Sequence, residues 1–408
     1  MAPGTWPRAW VTRPRLAYRC AGGLLDTRNS FVAPRIRAVE AIPLRLPFGR
    51  AFTMAAPHQP TRNEVEVLVV RIMTEDGLVG IGETQAWRRQ GSGETLPGLV
   101  DKVQNHVNPA LVGKPVTAVS SVLHDISERL AGSLYLKAAV GDALYDALAR
   151  TLGCPVYDLL GGLCREEVDV GLAIGITGQA EAMTDAAQAA YERGYRHIRV
   201  KIGIDPGKDL ACCAALRRHF GDKIVLRADA NGGMNYGDAL RLLSRLEAYD
   251  LDIVEQPLPA WDLAGMAAIA RAVRIPLSAD ESLTDEHSLV AIAQQGAARV
   301  VQTKSAKNGG IDGIRRLWDM ARTYGIGIFP GNHPSTGLNV AAVAHLAAAT
   351  PYPLLVGDFQ TGCVDMIAED ILTEPIVVAA GKLRVPRGPG FGVDIDPDKL
   401  AKYRVDAH

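Results

Sequence analysis

Residues 197–229, HIRVKIGIDPGKDLACCAALRRHFGDKIVLRAD, decide the fold. A β-branched run ends in Lys201, a turn containing Gly and Pro follows, an Ala-rich stretch comes next, and a second apolar run ends in Asp229. This is a strand, a helix and a parallel strand, and the chain repeats the unit. LDIVE ends in Glu255, IPLSAD in Asp280 and RVVQTK in Lys304, so the five charged ends are spaced 28, 26, 25 and 24 residues apart. Further runs at 168–174, 326–330 and 354–358 bring the predicted strands to eight. Eight strands alternating with helices predict an α/β fold of the (β/α)8 TIM-barrel type. A doubly wound dinucleotide fold is disfavoured, because GLAIGITGQAEA after the first run lacks the G-x-G-x-x-G turn.

In such a barrel every strand points its C-terminal end at one face, so Lys201, Asp229, Glu255, Asp280 and Lys304 converge. Three carboxylates form a hard oxygen set suited to a divalent cation, and lysines beside them suit removal of a proton from carbon. Upstream, residues 36–163 predict an α+β capping domain. IRAVEAIPLRLPF and NEVEVLVVRIMTEDGLVGIGET read as strands, the second turning at Glu75, Asp76 and Gly77. The 49–62 segment between them, GRAFTMAAPHQPTR, reads as a long loop, and a helical region ends at Gly153 before Pro155. Residues 164–375 are assigned to the barrel, and 376–408 are expected to fold back onto the cap.

The first 35 residues differ from the rest. They carry Arg8, Arg13, Arg15, Arg19, Arg28 and Arg35, with Asp26 as their one acid. Four prolines oppose an amphipathic targeting helix, so an extension without its own fold and a cytoplasmic location are expected. Lys and Arg number 44 against 45 Asp and Glu, which points to neither a nucleic-acid nor a membrane partner. The six cysteines lack metal-ligand spacing and read as reduced thiols.

Taken in order, GIGET, AVGDALYDALARTLGCPVYDLLGG, RVK, DAN, VEQP, ADES, TKSAKNGG and VPRGPGFGV resemble the enolase superfamily, specifically its muconate-lactonizing subgroup. The resemblance implies a small-molecule carboxylate substrate, an enediolate formed by loss of its α-proton, and Mg²⁺ (with Mn²⁺ able to substitute) on Asp229, Glu255 and Asp280. It makes Lys201 and Lys304 the acid/base groups on opposite faces of the substrate. Asn231, Glu281 and Lys307 would orient these groups, while Arg199, His333, Asp358 and His58 would meet the substrate. Arg50 and Arg62 in the early loop are further candidates, and a homo-oligomer is expected.

Lys304 occupies the sixth-strand position where the mandelate racemase branch has an Asp, so His333 lacks the partner of an Asp–His dyad. Arg199 replaces the usual first lysine of K-x-K, and the eighth run ends VGDFQTG without the Asp-x-Asp of dipeptide epimerases. A lysine ordinarily titrates near 10.4, so burial and neighbouring cations are expected to lower the base to roughly 7–8. These features lean to a cycloisomerase, with an N-acylamino acid racemase or epimerase as the alternative. A β-eliminating acid dehydratase is a third possibility, and a non-catalytic metal-binding barrel a fourth.

Overall fold

The computed structural model describes residues 31–52, 62–86, 93–359 and 366–405. Its first sheet is antiparallel, with β1 (Ile36–Phe52), β2 (Arg62–Thr74) and β3 (Val79–Gln85) in that order. Ile42, Leu44 and Leu46 pair with Val69, Val67 and Val65, and this face packs on Ile367 and Ile371. Leu68, Val70 and Ile72 of β2 are buried as well, so the strand is apolar without strict alternation. The other face takes the helix Leu134–Leu152. A Cβ on Gly82 of β3 would lie 2.1 Å from Ala139 O, so only glycine admits the helix backbone this closely.

After β4 (Glu167–Asp169) comes the barrel. Its parallel strands are β5 (Leu172–Ile174), β6 (His197–Lys201), β7 (Val225–Asp229), β8 (Ile253–Glu255), β9 (Leu277–Ala279), β10 (Val300–Gln302) and β11 (Gly327–Phe329). They lie in sequence order in one seven-stranded sheet. Residues 354–358, expected as an eighth strand, close the ring through single bridges, Val170 to Gly357 and Gly331 to Asp358. Proline at 351 and 353 limits the ladder this segment can form. The 168–174 run also divides, because β4 leaves the barrel and pairs with β13 (Lys382–Arg384), which pairs in turn with β12 (Val378–Ala379).

Outward-facing Ile198, Val200, Leu226, Ala228, Val254, Leu277, Ala279, Val301 and Ile328 belong to the main core under the helices. Inside the ring, Ile253, Val300 and Phe329 form a separate apolar plug. The tail returns past β4, where Val385 N donates to Glu166 O. It then runs beside the cap, where Val405 N donates to Pro43 O. Among the described residues no helix is long and apolar enough to cross a membrane.

Candidate active site

Parallel register sets the height of each charged group above the plug. Lys201 pairs with Asp229 and Asp229 with Glu255, so these three share a level. Glu255 pairs with Ser278, which lifts Asp280 two residues higher, and Ala279 pairs with Val301, which lifts Lys304 further. Side chains two residues apart on a strand share a face, so Arg199 lies beneath Lys201 and Arg227 beneath Asp229 inside the ring.

The two lysines hold different acids. Lys201 Nζ donates to Asp229 Oδ2 at 2.5 Å and to Asn231 Oδ1 at 2.8 Å. Lys304 Nζ donates to Asp280 Oδ2, and Lys307 Nζ lies 3.0 Å from Asp280 Oδ1 while bonding the carbonyls of Asp280, Leu283 and Gln302. Glu255 accepts from Arg199 Nη1 at 3.0 Å and from Arg227 Nη2 at 2.9 Å. Asn231 sits in the left-handed region at φ 47°, which asparagine tolerates, and its amide donates to Glu281 Oε1 at 3.2 Å. All of these side chains except Glu281 are buried residues by exposure, and the Glu281 carboxyl itself is enclosed.

Arg199 and Asp358, expected at the substrate, face each other at 2.9 Å, and Arg227 Nη1 lies 3.5 Å from the same carboxylate. Their charge is therefore engaged in the barrel wall. His333 stacks on Tyr135 of the cap with ring centres 5.7 Å apart. His58 lies outside the described residues, and only the backbone of Arg50 and Arg62 is described.

Burial works to raise the pKa of Asp229, but Lys201 and Arg199 overcome it and hold that carboxylate below its ordinary range. Asp280 is likewise held low by Lys304 and Lys307 against its burial. Glu255 is pushed up to about 7, first by burial and then, against Arg199, by Asp229 and Asp280. Glu281 rises to about 8 through burial and the charges of Asp280 and Asp229. The lysine expectation reverses at Lys304. Burial favours its neutral form, yet Asp280, Glu255 and Glu281 outweigh burial and keep its pKa above the ordinary lysine value.

Sequence reasoning missed three supports. Gln256, at φ 38°, accepts from Asp280 N at 3.0 Å and donates to Ser282 Oγ at 2.7 Å. It stands inside the VEQP string, so the strand-end pattern that found Glu255 also marks it. Arg227 could have been found by counting back two residues from Asp229, and its guanidinium lies 3.6 Å from the centre of the Phe329 ring. Tyr135 carried no signal, because helical spacing alone makes it an ordinary core residue.

Among the described residues, no three potential ligands come close enough together to share an ion. The donor chemistry nevertheless fits a hard divalent cation, since all three groups are buried carboxylates on neighbouring strands. Burial and the neighbouring acids raise Glu255 and Glu281 above the ordinary carboxylate range, and added positive charge would favour their ionised forms.

Residues 39–161 match the mandelate racemase / muconate lactonizing enzyme N-terminal domain, and residues 182–399 match the enolase C-terminal domain-like family. Muconate cycloisomerase 1 of Rhodococcus opacus is 31% identical over 375 residues, covering 90% of this chain and 98% of that protein. N-succinylamino acid racemase of Amycolatopsis sp is 32% identical over 361 residues, covering 88% of this chain and 94% of that protein. The crystal structure of muconate lactonizing enzyme from Pseudomonas fluorescens complexed with muconolactone aligns with a TM-score of 0.86 at 28% identity, covering 92% of this chain and 100% of that one. Membership of this group implies a divalent metal. By both of its domains the chain belongs to the mandelate racemase / muconate lactonizing enzyme family of the enolase superfamily, and it is an isomerase.

Proposed function

We propose that this isomerase is a cycloisomerase of the muconate type, interconverting an unsaturated dicarboxylate and its lactone. The observation that carries the reading is the pair Lys201 and Lys304. They end the second and sixth of eight ring positions, opposite each other, and each is bound to a different carboxylate. In ring closure a substrate carboxylate oxygen adds to the double bond, and one lysine delivers a proton to the carbon α to the other carboxylate. In ring opening the same lysine removes that proton as the carbon–oxygen bond breaks.

Asp229, Glu255 and Asp280 would hold the divalent cation, Mg²⁺ with Mn²⁺ able to substitute. When bound, the cation would supply positive charge opposite the substrate carboxylate whose neighbouring α-carbon gains or loses the proton. Asn231 would keep Asp229 and Glu281 in place, and Lys307 would fix Asp280. Arg199 and Arg227 would hold Glu255 from below, and Tyr135 with His333 would wall the Asp280 side. The cap would thereby shield the pocket from water.

A second reading, racemisation of an N-acylamino acid, is favoured by the racemase relative at 32% identity, close to the 31% of the cycloisomerase. Lysines on opposite faces serve that reaction too, one removing the proton and the other returning it. Proton NMR in D₂O with Mg²⁺ separates the two on a panel of muconates, N-acylamino acids and dipeptides. A new lactone ring supports the cycloisomerase. Exchange at the α-carbon that accompanies inversion, without ring formation, replaces it with the racemase. Neither event on any muconate overturns the first reading.

A further inference from the structure

The helix following each barrel strand leaves unbonded N–H groups at its start, and a side chain at its N-cap usually accepts one of them. Five of the barrel helices follow that rule with their own residues. Asp205 accepts from Gly207 and Lys208, Asn235 from Asp238, Asp262 from Gly265, Asp285 from Ser288, and Thr336 from Leu338. Two depart from it: Ala180–Glu192, whose N-cap Gln179 makes no side-chain cap bond, and Gly310–Thr323, which follows the Lys304 loop. The second has Gly309 as its N-cap, which has no side chain to offer.

Its acceptor comes from the cap. Asp142 of Leu134–Leu152 accepts from Ile311 N at 2.9 Å through Oδ1, and from Ser305 Oγ at 3.2 Å through Oδ2. Ser305 adjoins Lys304, so one carboxylate grips both ends of the loop that carries the lysine. The fit leaves no slack. Gly310 has φ +72°, and a Cβ there would lie 2.7 Å from Asp142 Oδ1 and 2.9 Å from Ala138 Cα. On the barrel side, Asn308 accepts from Lys304 N at 2.8 Å and donates to Leu283 O and Thr284 O. Lys201 is anchored differently. Gly203, two residues beyond it, donates to Asp209 Oδ2 at 2.8 Å, and Asp209 belongs to the next helix of the same unit, Pro206–Phe220.

We infer that Asp142 is a positioning residue through which the N-terminal cap sets Lys304, whereas Lys201 is set from within the barrel, by Asp209 of its own unit and by Asp229 and Asn231 of the next. The inference rests on the reading that Lys201 and Lys304 flank the substrate and that at least one of them carries its proton. Cap docking then controls one face of the pocket more tightly than the other, so a change in the cap alters the two proton positions unequally.

Trace labelling of the full-length protein with acetic anhydride, followed by mass spectrometry of the Lys201 and Lys304 peptides, tests this without a substrate. In Asp142→Ala, labelling of Lys304 should rise about fivefold, the weight of one ordinary hydrogen bond, with Lys201 unchanged. Asp142→Asn keeps an acceptor for Ile311 N and should restore most of the wild-type pattern. Ser305→Ala, which removes one contact and leaves the helix junction intact, should give the same contrast in smaller degree and serves if Asp142→Ala fails to fold. A parallel rise at both lysines, or no rise at either in Ser305→Ala and any folded Asp142 variant, overturns the inference. Turnover by Lys304→Ala judges the catalytic reading separately. Wild-type turnover there sinks the proton-carrier role, and the labelling contrast alone then decides whether the cap sets Lys304.

Discussion

Two groups of buried carboxyls, one in the pocket and one at the cap–barrel junction, are satisfied in opposite ways. In the pocket, Asp229 and Asp280 are answered by ammonium and guanidinium groups and are held below the ordinary carboxylate range despite their burial. At the junction, Glu83 accepts from the Thr336 amide and hydroxyl, Asp142 from Ile311 N and Ser305, and Asp146 from Ile81 N and Phe391 N. Burial dominates there and pushes Glu83 and Asp142 up to about 7 and Asp146 to about 6, although Arg150 pulls Asp146 down. Asp229 and Asp280, each met directly by a lysine, are held toward the ionised form, unlike Glu255, which two arginines do not bring down. Acids balanced mainly by peptide dipoles serve to join segments distant in sequence. The comparison predicts that pocket substitutions remove activity and spare the fold, while substitution of Asp146, which does not touch the Lys304 loop, does the reverse.

The largest effect should come from the lysines. Lys201→Ala and Lys304→Ala each remove a lysine proposed to flank the substrate, and loss of a proton carrier costs roughly 10²–10⁴-fold in turnover. For a racemase, each variant should lose net inversion yet still wash deuterium into the one enantiomer it reaches. For a cycloisomerase, one variant should lose proton transfer altogether and the other should lose only electrostatic support. Wild-type turnover in both, measured on the substrate found by NMR, would end the proposal.

At the junction, Asp146→Ala leaves the Ile81 and Phe391 amides without their acceptor and Arg150 without one partner, at 2.8 Å. Arg150 keeps Asp394 at 2.9 Å and Val393 O at 2.8 Å, so the cost is that of two buried amides left unpaired, about 1–3 kcal/mol each. Urea unfolding should record a loss of that size, with turnover per folded molecule unchanged. An equal loss of turnover in the folded fraction would erase the distinction between the two groups.

The pocket was far more legible in the sequence than the junction. Lys201, Asp229, Glu255, Asp280 and Lys304 each end a local apolar run, and the barrel brings strand ends together without any information about distant contacts. Arg199 was legible as a charge within a strand and Asp358 as one at a strand end, but not as partners, because their pairing depends on ring closure by residues 354–358. The Asp142–Ile311 and Glu83–Thr336 contacts join residues 169 and 253 positions apart, and no periodicity carries that information. The sign of the Lys304 shift was missed for a related reason. Burial was weighed without the Asp280 oxygen that the fold sets directly on the ammonium.

A pH series sharpens the comparison further. The Glu83 pKa rises from 4.5 to about 7 on folding, chiefly through burial. The folded state therefore binds the proton more tightly than the unfolded chain between those values. The stability this confers is complete below pH 4.5 and is lost as the pH climbs through about 7. Across that window the contribution is about 3 kcal/mol. Glu83→Gln, which cannot ionise, should show a flatter dependence of unfolding free energy on pH by that amount. Identical slopes for wild type and variant would mean that Glu83 does not hold its proton in the folded protein.

The smallest effect tests the pocket acids through binding alone. A cation that binds only the folded state stabilises it by about 2.7 kcal/mol at a concentration one hundred times its dissociation constant. Mg²⁺ should therefore raise the melting temperature of the wild type, and Mn²⁺ should do the same. Asp280→Asn keeps the side-chain shape but removes the charge between Lys304 and Lys307, so the two ammonium groups then oppose the cation. Its Mg²⁺-induced shift should vanish even if its starting melting temperature changes. Asp146→Asn, at the junction, should keep the full shift, because its carboxyl bonds Arg150 and two backbone amides well away from the strand ends. A shift that survives in Asp280→Asn, or disappears in Asp146→Asn, would show that Mg²⁺ stabilises the protein somewhere other than at the three converging strand ends.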